Sequence, residues 1–360
     1  MSANATVASD WNPYATSRRR STGTCGLAFV LLASLTALSV QTGPKGAGVS
    51  LKETAAVIMD HTPILRAVPH ASPSSTADSL VWELRIPRAL VAIFIGALLG
   101  LAGVALQGLL MNPLADPYTV GASAGAAVGA AVAEVLGIAA LWAGFAGAGL
   151  AFVTAIGAVL LVYTLARVSG RVSAETFLLA GVVVGSCLFS LIPLLLVLAG
   201  RGNEVSRILF YLIGSVQSAD WTRAGLLVPF VVIAAICLRV WARELNLMSL
   251  GEETAAHLGV EIEGFKRRVI VAGSLATAAA VSVGGIIGFV GLVAPHVARR
   301  IIGPDHRALI PLSALFGATL LLASDTVARA LLSEQMPVGV VTSLIGAPVF
   351  CYLLRQRAKW

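Results

Sequence analysis

The chain has 360 residues, 57% of them hydrophobic and only 12% charged, a balance too apolar for a water-soluble globule. Its formal charge of +7 comes from Lys and Arg confined to short segments between apolar runs, which points to membrane topology and excludes nucleic acid as the partner. Cys25, Cys187, Cys237 and Cys351 stand singly within or beside apolar runs, with no CxxC or Cys/His cluster, so no metal, disulfide framework or other cofactor is expected.

About twenty apolar residues cross the hydrocarbon core of a bilayer. Runs of that kind fall near 24–42, 86–110, 117–138, 142–166, 175–199, 221–241, 267–284, 286–302, 307–327 and 337–354. The expected fold is therefore all-α and polytopic, with about ten transmembrane helices in a single domain over 24–355. An even number of spans keeps both basic termini on one side. Residues 1–23, which carry Arg18, Arg19 and Arg20, form an expected cytoplasmic tail, and residues 356–360 a cytoplasmic C-terminus. QTGPKGAG after the first run offers no small-x-small cleavage site, so that run reads as an uncleaved span. Residues 43–80, punctuated by Pro44, Pro63, Pro69 and Pro73, read as an external loop with one short helix around 50–67.

With the N-terminus inside, most of the basic residues collect in cytoplasmic segments, the positive-inside distribution. Nine fall outside and need partners or purposes: Lys45, Lys52, Arg66, Arg85, Arg88, Arg201, Arg207, Arg223 and Arg329. The MNPLADP turn (111–117) ends one span and starts the next through Asn112, Pro113, Asp116 and Pro117. His296 and His306 have no third ligand nearby and read as structural.

The segment 244–266 is a cytoplasmic loop holding GEETAAHLGV (251–260), a charged interruption in an oily chain. Ser249 and Glu252 have capping-box spacing, Gly259 can close the helix in the left-handed region, and a second short turn is expected at 261–266. By itself such a segment reads equally as a solvated connector. The chain has no G-x-x-x-x-G-K-[ST] and no H-E-x-x-H, and its spans lack the ionisable series that ion-coupled pumps use as relays. No enzyme is expected, and any energy source lies on another subunit.

Four blocks, RIPRALVAIFIGALLGLAGVALQGLLMNPLADPYTVGASAGAAVGA (85–130), GEETAAHLGV, GGIIGFVGLVAPHVARRIIGPDHRALIPLSALFGA (284–318) and MPVGVVTSLIGAPVFCYLL (336–354), resemble the FecCD-type permeases in the family's order. These are membrane subunits of ABC importers for iron-siderophores, haem and cobalamin, and the similarity covers about residues 80–355. The resemblance implies a type II ABC importer permease fold in the inner (plasma) membrane. The implied partners are a second permease subunit, identical or paralogous, two ABC ATPase subunits and an extracytoplasmic binding protein, all amid membrane lipid.

It further implies that Gly251, Glu252, Glu253, Thr254, Ala255, Ala256, His257, Leu258 and Gly259 form the element inserted into the ATPase. Arg85, Arg88 and Arg329 match the outer positions that receive carboxylates of the binding protein. Arginine suits that task through its planar, bidentate fork; the residues alone read first as headgroup anchors or as an Arg329–Asp325 pair at i, i+4, and with the resemblance docking becomes the expected role. Ser173, Ala174 and Glu175 match the cytoplasmic gate, with Glu175 a charge where the family favours small hydroxylic residues. The expected cargo is an iron(III)-siderophore, with haem or cobalamin as alternatives.

Overall fold

The computed structural model describes residues 13–43, 49–62, 72–141, 144–200, 202–332 and 336–357. Helix α1 (Pro13–Gln41) carries the first apolar run. In the following loop, α2 (Leu51–His61) is fixed by a capping box: Glu53 N donates to Ser50 Oγ at 3.2 Å and Ser50 N to Glu53 Oε2 at 3.3 Å. The expected helix around 50–67 is thus present over 51–61, and residues 63–67 lie outside the described residues. Next come α3 (Ser75–Asp78), a wide π-helical stretch over Ser79–Arg85, and α4 (Ile86–Leu109), with Pro87 in its first turn where it has no donor to lose.

A 3-10 turn (Pro117–Val120) leads to α5 (Ala122–Val135), then α6 (Phe145–Ala166). A two-residue-per-strand hairpin, β1 (Arg167–Val168) and β2 (Arg171–Val172), turns the chain into α7 (Ala174–Phe189), followed by α8 (Ile192–Leu198) and α9 (Asn203–Ile213). The remainder is α10 (Trp221–Val240), α11 (Ala242–Met248), α12 (Glu252–His257), α13 (Ile262–Gly284), α14 (Val290–Ile302), α15 (His306–Val327), a second π-helical stretch (Ala328–Leu332) and α16 (Val338–Arg357).

The ten expected apolar segments are all helical, but they are not ten equal spans. Seven helical stretches among the described residues are long and apolar enough to cross a bilayer alone. The segment expected at 117–138 yields only the 14 residues of α5, because Pro117 starts a 3-10 turn and Gly121 adopts φ +87°. The segment at 286–302 yields only the 13 residues of α14, because Gly285 (φ +68°) and Phe289 (φ +69°) hold 285–289 out of the helix. The segment at 175–199 is broken between α7 and α8, just before Pro193. At 1.5 Å per residue α5 and α14 reach about 20 Å, short of the ~30 Å slab.

These short pieces pack inside the molecule. The stretch containing α4 is 83% buried and forms the hub, with α13, α14, α15 and α10 around it. Close approach is possible because glycines face glycines: a Cβ on Gly96 would run into the Gly317 carbonyl, and one on Gly103 into that of Gly291. The α7–α8 stretch is only 22% buried and turns Leu179, Val182, Val183, Leu194 and Val197 outward. In a membrane protein such a face meets lipid or another subunit.

Backbone outside helices is tied to other backbone. Ser215 N donates to Gly284 O (2.8 Å), Ile286 N to Tyr211 O (3.0 Å) and Gly339 N to Gly214 O (3.1 Å), a seam joining the ends of α9 and α13 to the start of α16. The ring of His306 lies against Gly108, and Asn246 bonds His306, so the end of α4, the start of α15 and the 251–259 loop share one face. The start of α4 and the end of α15 lie on the opposite face.

Candidate functional site

On the loop face, α11 ends in a turn and α12 projects beyond it. The expected capping box is not formed: Ser249 Oγ donates to Asn246 O (2.6 Å), because Ser249 belongs to the end of α11, and Gly251, at φ +103°, stands at the N-cap of α12. Glu252 is thereby left to reach elsewhere. Gly259 does adopt the left-handed conformation (φ +90°), with its N–H bonded to Ala256 O at 3.0 Å. The second short turn expected at 261–266 is instead the first turn of α13, capped by Glu261, whose Oε1 accepts from Gly264 N at 2.8 Å. The long helix therefore runs from membrane to loop without a joint.

Ala255 is fully buried and seats α12 on the body of the protein, whereas Glu253, Thr254, Ala256, His257, Leu258 and Gly259 are exposed. Leu250 and Leu258, at 62% and 54% exposure, flank this helix as apolar knobs that no described residue covers. A short rigid helix with exposed leucines is a shape made for a groove in another protein.

Sequence reasoning passed over Lys266, counting it only as one more inner-face cation. Its side chain is 7% exposed, and its ammonium donates to Glu252 Oε2 (2.7 Å), Val172 O (2.7 Å) and Glu263 Oε1 (3.4 Å). Val172 directly precedes Ser173, Ala174 and Glu175. Ser173 caps α7 by accepting from Thr176 N at 3.1 Å, Ala174 begins that helix, and Glu175 is exposed in its first turn. The signal for Lys266 was available in principle: a lysine three residues after Glu263 in the first turn of an amphipathic helix has a facing acid.

Two other features of the loop face are structural. In the MNPLADP turn, Asn112 Oδ1 accepts from Leu114 N and Asp116 Oδ1 from Tyr118 N, both at 3.0 Å. Removal from water pushes the Asp116 carboxyl up to about 6, against the lowering effect of the Tyr118 amide. The buried His306 has Nδ1 at 2.8 Å from Asn246 Oδ1, tying α11 to α15. GASAG (121–125) has the G-x-S-x-G spacing of hydrolase nucleophiles, but Ser123 is buried on the first turn of α5, follows a 3-10 turn rather than a strand, and donates to Tyr118 O.

On the opposite face, Arg88 grips Asp325 with Nε and Nη2 at 3.0 and 2.8 Å, and Arg329 Nε binds the other oxygen of Asp325 at 3.0 Å. Arg329 also donates to Thr42 O, Ser39 O and Ser39 Oγ, and Arg85 to Val40 O and Gln41 O. The three arginines thus stitch the end of α1 to α4 and α15, with Arg85 and Arg329 carried on the two π-helical stretches and Arg88 on the first turn of α4. Asp325 is fully buried, Arg85 and Arg329 nearly so, and Arg88 is the least enclosed at 14% exposure. The internal pairing of Arg329 with Asp325 is therefore real.

Other cations expected on the outer side also find acids: Arg207 binds Glu134 at 2.8 Å, and Arg223 lies 3.7 Å from Asp220. Lys52 is exposed on α2, and Lys45, Arg66 and Arg201 lie outside the described residues. Beside the Glu134–Arg207 pair a cavity of about 700 Å³ opens, walled by Ala127, Ala131, Tyr211 and Gly284.

Comparison with known proteins resolves what this arrangement belongs to. The model of the FecCD transport family matches residues 26–356. The chain is 41% identical over 340 residues to the cobalamin import system permease BtuC of Halobacterium salinarum, covering 91% of this chain and 88% of that one. The chain belongs to the FecCD transport family. Another FecCD relative, the hemin transport system permease HmuU of Yersinia pestis, is 38% identical, covering 79% of this chain and 87% of its own length. The vitamin B12 permease BtuC of Salmonella paratyphi A is 36% identical, covering 79% and 86%.

Among solved structures, a metal-chelate type ABC transporter in an inward-facing conformation superposes with a TM-score of 0.79 at 28% identity, over 93% of this chain and 99% of that one. PsaBC from Streptococcus pneumoniae, at 18% identity and TM-score 0.55, shares the fold. This FecCD chain is a multi-pass membrane protein and an ABC importer permease with the type II importer fold.

Proposed function

We propose that this permease carries a bulky metal chelate inward, with a cobalamin-class corrinoid the first cargo to test and haem or an iron(III)-siderophore the alternatives. The names of the relatives reported above support the corrinoid and haem, and the siderophore rests on the resemblance of the motifs. The observation that carries the mechanism is α12, a rigid helix exposed at one face on a chain with no phosphate-binding loop. In this reading Gly251–Gly259 seats in a groove on each of two ATPase subunits, and the loop face, with both termini, is cytoplasmic. Two permease copies enclose the route, their contact drawn from the outward apolar face of α7–α8.

On the other face an extracytoplasmic binding protein docks around Arg85, Arg88 and Arg329. Because Asp325 and the α1 carbonyls hold these groups, they shape a preset platform, and Arg88 is the one placed to share its charge with an incoming carboxylate. Chelate enters beside the cavity at Glu134 and Arg207, and ATP-driven closure beneath moves the start of α7 at Ser173, Ala174 and Glu175. No tight midway site is required, since strong binding there would slow release.

The test is reconstitution of permease, ATPase and binding protein in liposomes with labelled cobalamin, haem or ferric siderophore. ATP-dependent accumulation of one chelate is the expected result. Accumulation without ATP would make this an ion-coupled carrier, and hydrolysis without accumulation of any of the three would make it an anchor for the ATPase.

A further inference from the structure

Three pieces of chain remote in sequence meet at one ammonium group. Lys266 stands on the first turn of α13, Glu252 opens α12, and Val172 closes the hairpin that leads into α7. A lysine offers three N–H donors, and here three acceptors receive them: Glu252 Oε2, Val172 O and Glu263 Oε1. Glu263 completes the arrangement from the other side, its Oε2 accepting from Val172 N at 3.2 Å. Both polar groups of the Val172 residue are therefore held by one acid and one base on adjacent sides of α13.

The consequences are mechanical. The loop from 258 to 261 joins α12 to α13 through Gly259, a joint that by itself would let α12 swing without moving anything else. The Glu252–Lys266 bridge spans that joint and removes its slack. From Lys266 the second link goes to backbone, not to a mobile side chain, and the next residue is Ser173, the cap of α7. A fully exposed ion pair would transmit little; here the Lys266 side chain is 7% exposed and holds Glu252 and Glu263, at 40% and 33%, from the protein side. Because the three acceptors share one ammonium, the three links depend on a single group.

Resting on the reading of 251–259 as the ATPase contact, we infer that Lys266 is the positioning residue that converts displacement of α12 into displacement of the α7 N-terminus. It touches neither nucleotide nor cargo. Glu263 is its auxiliary, holding the Val172 amide so that hairpin and helix move as one piece.

The experiment compares wild type, Lys266→Met and Lys266→Arg, each assembled with ATPase and binding protein in liposomes. Spin labels on cysteines substituted for Ser173 and His257, in a background whose native Cys25, Cys187, Cys237 and Cys351 are replaced by Ser, report the distance between α7 and α12 with and without ATP. In wild type the two labels should hold one narrow distance in both states. In Lys266→Met that distance should broaden or shift on ATP binding, and chelate transported per ATP should fall by about tenfold, a usual size for a coupling between sites. Lys266→Arg, which keeps charge and donors, should recover at least half of the loss.

Melting temperature is read in parallel. Uptake per ATP unchanged in Lys266→Met, or a label distance unaffected by the substitution, overturns the inference. A fall in uptake matched by a fall in folded complex, with the distance still narrow, assigns Lys266 to stability alone and overturns it as well. Should Lys266→Met fail to assemble, Glu263→Gln, which keeps a hydrogen-bonding side chain of the same length, takes its place with the same two readouts. Failure of the wild-type permease to bind the ATPase through 251–259 would instead undo the underlying functional reading, and is scored separately.

Discussion

Asp325→Asn isolates the ion cluster at the C-terminal end of α15. The wild-type carboxylate has no solvent exposure and receives Arg88 Nη2 at 2.8 Å, Arg88 Nε at 3.0 Å and Arg329 Nε at 3.0 Å. An asparagine fits the space, but it keeps one acceptor oxygen and turns an NH2 group toward donors. Breaking a buried, hydrogen-bonded charge arrangement costs about 3–5 kcal/mol. At roughly 2 °C per kcal/mol, the low end for chains above 150 residues, the melting temperature should fall by about 6–10 °C. The assay is thermal unfolding of the purified permease in detergent, with Arg88→Met and the double variant completing a cycle. The double variant should be less destabilised than the sum of the singles, by about 1 kcal/mol or more. A melting temperature within about 2 °C of wild type would refute the view that Asp325 pins α4 and α15 together.

Ala256→Pro removes an N–H from α12 and should abolish co-purification of the ATPase while leaving the amount of folded permease unchanged. Arg88→Met should weaken docking of the binding protein by about tenfold at low salt, read by surface plasmon resonance; Arg88→Glu is a poor test because it sets a second acid against Asp325. The raised carboxyl of Asp116 means that the folded protein binds a proton more readily than the unfolded chain. Its contribution to stability is present below the ordinary carboxylate range and is lost as pH rises toward about 6. Wild type should therefore melt at a higher temperature near pH 4.5 than near pH 7 relative to Asp116→Asn, whose neutral cap removes that slope. Gly103→Val should prevent folding of the α4–α14 contact, seen as aggregation on extraction, because the branched side chain meets the Gly291 carbonyl.

Apolar runs and glycine spacing made the helical class and the number of segments readable, since both follow from the thickness of a bilayer. What stayed hidden was where helices stop inside the slab. Phe289 adopts a left-handed backbone that no propensity rule assigns to phenylalanine, and it is held by packing against Gly346 from α16. The exposure of Glu253, Thr254 and His257 was legible from their polarity, but the anchor was not: Ser249 and Glu252 have the spacing of a capping pair, yet Ser249 turns back to Asn246 O and Glu252 binds Lys266. The outer arginines show the same limit. Sequence placed Arg88 and Arg329 at one mouth, and only the fold brings both to a single carboxylate contributed by α15.

The seam linking 284–286 to 211–215 bears on which parts of the molecule are able to move. Parting it would break the Ser215 N to Gly284 O and Ile286 N to Tyr211 O bonds together, beside the cavity that Tyr211 and Gly284 wall. Those two stretches are therefore tied into one piece. The less buried stretch of α7 and α8 keeps its backbone bonds within its own helices and turns, so a displacement there would orphan no such group.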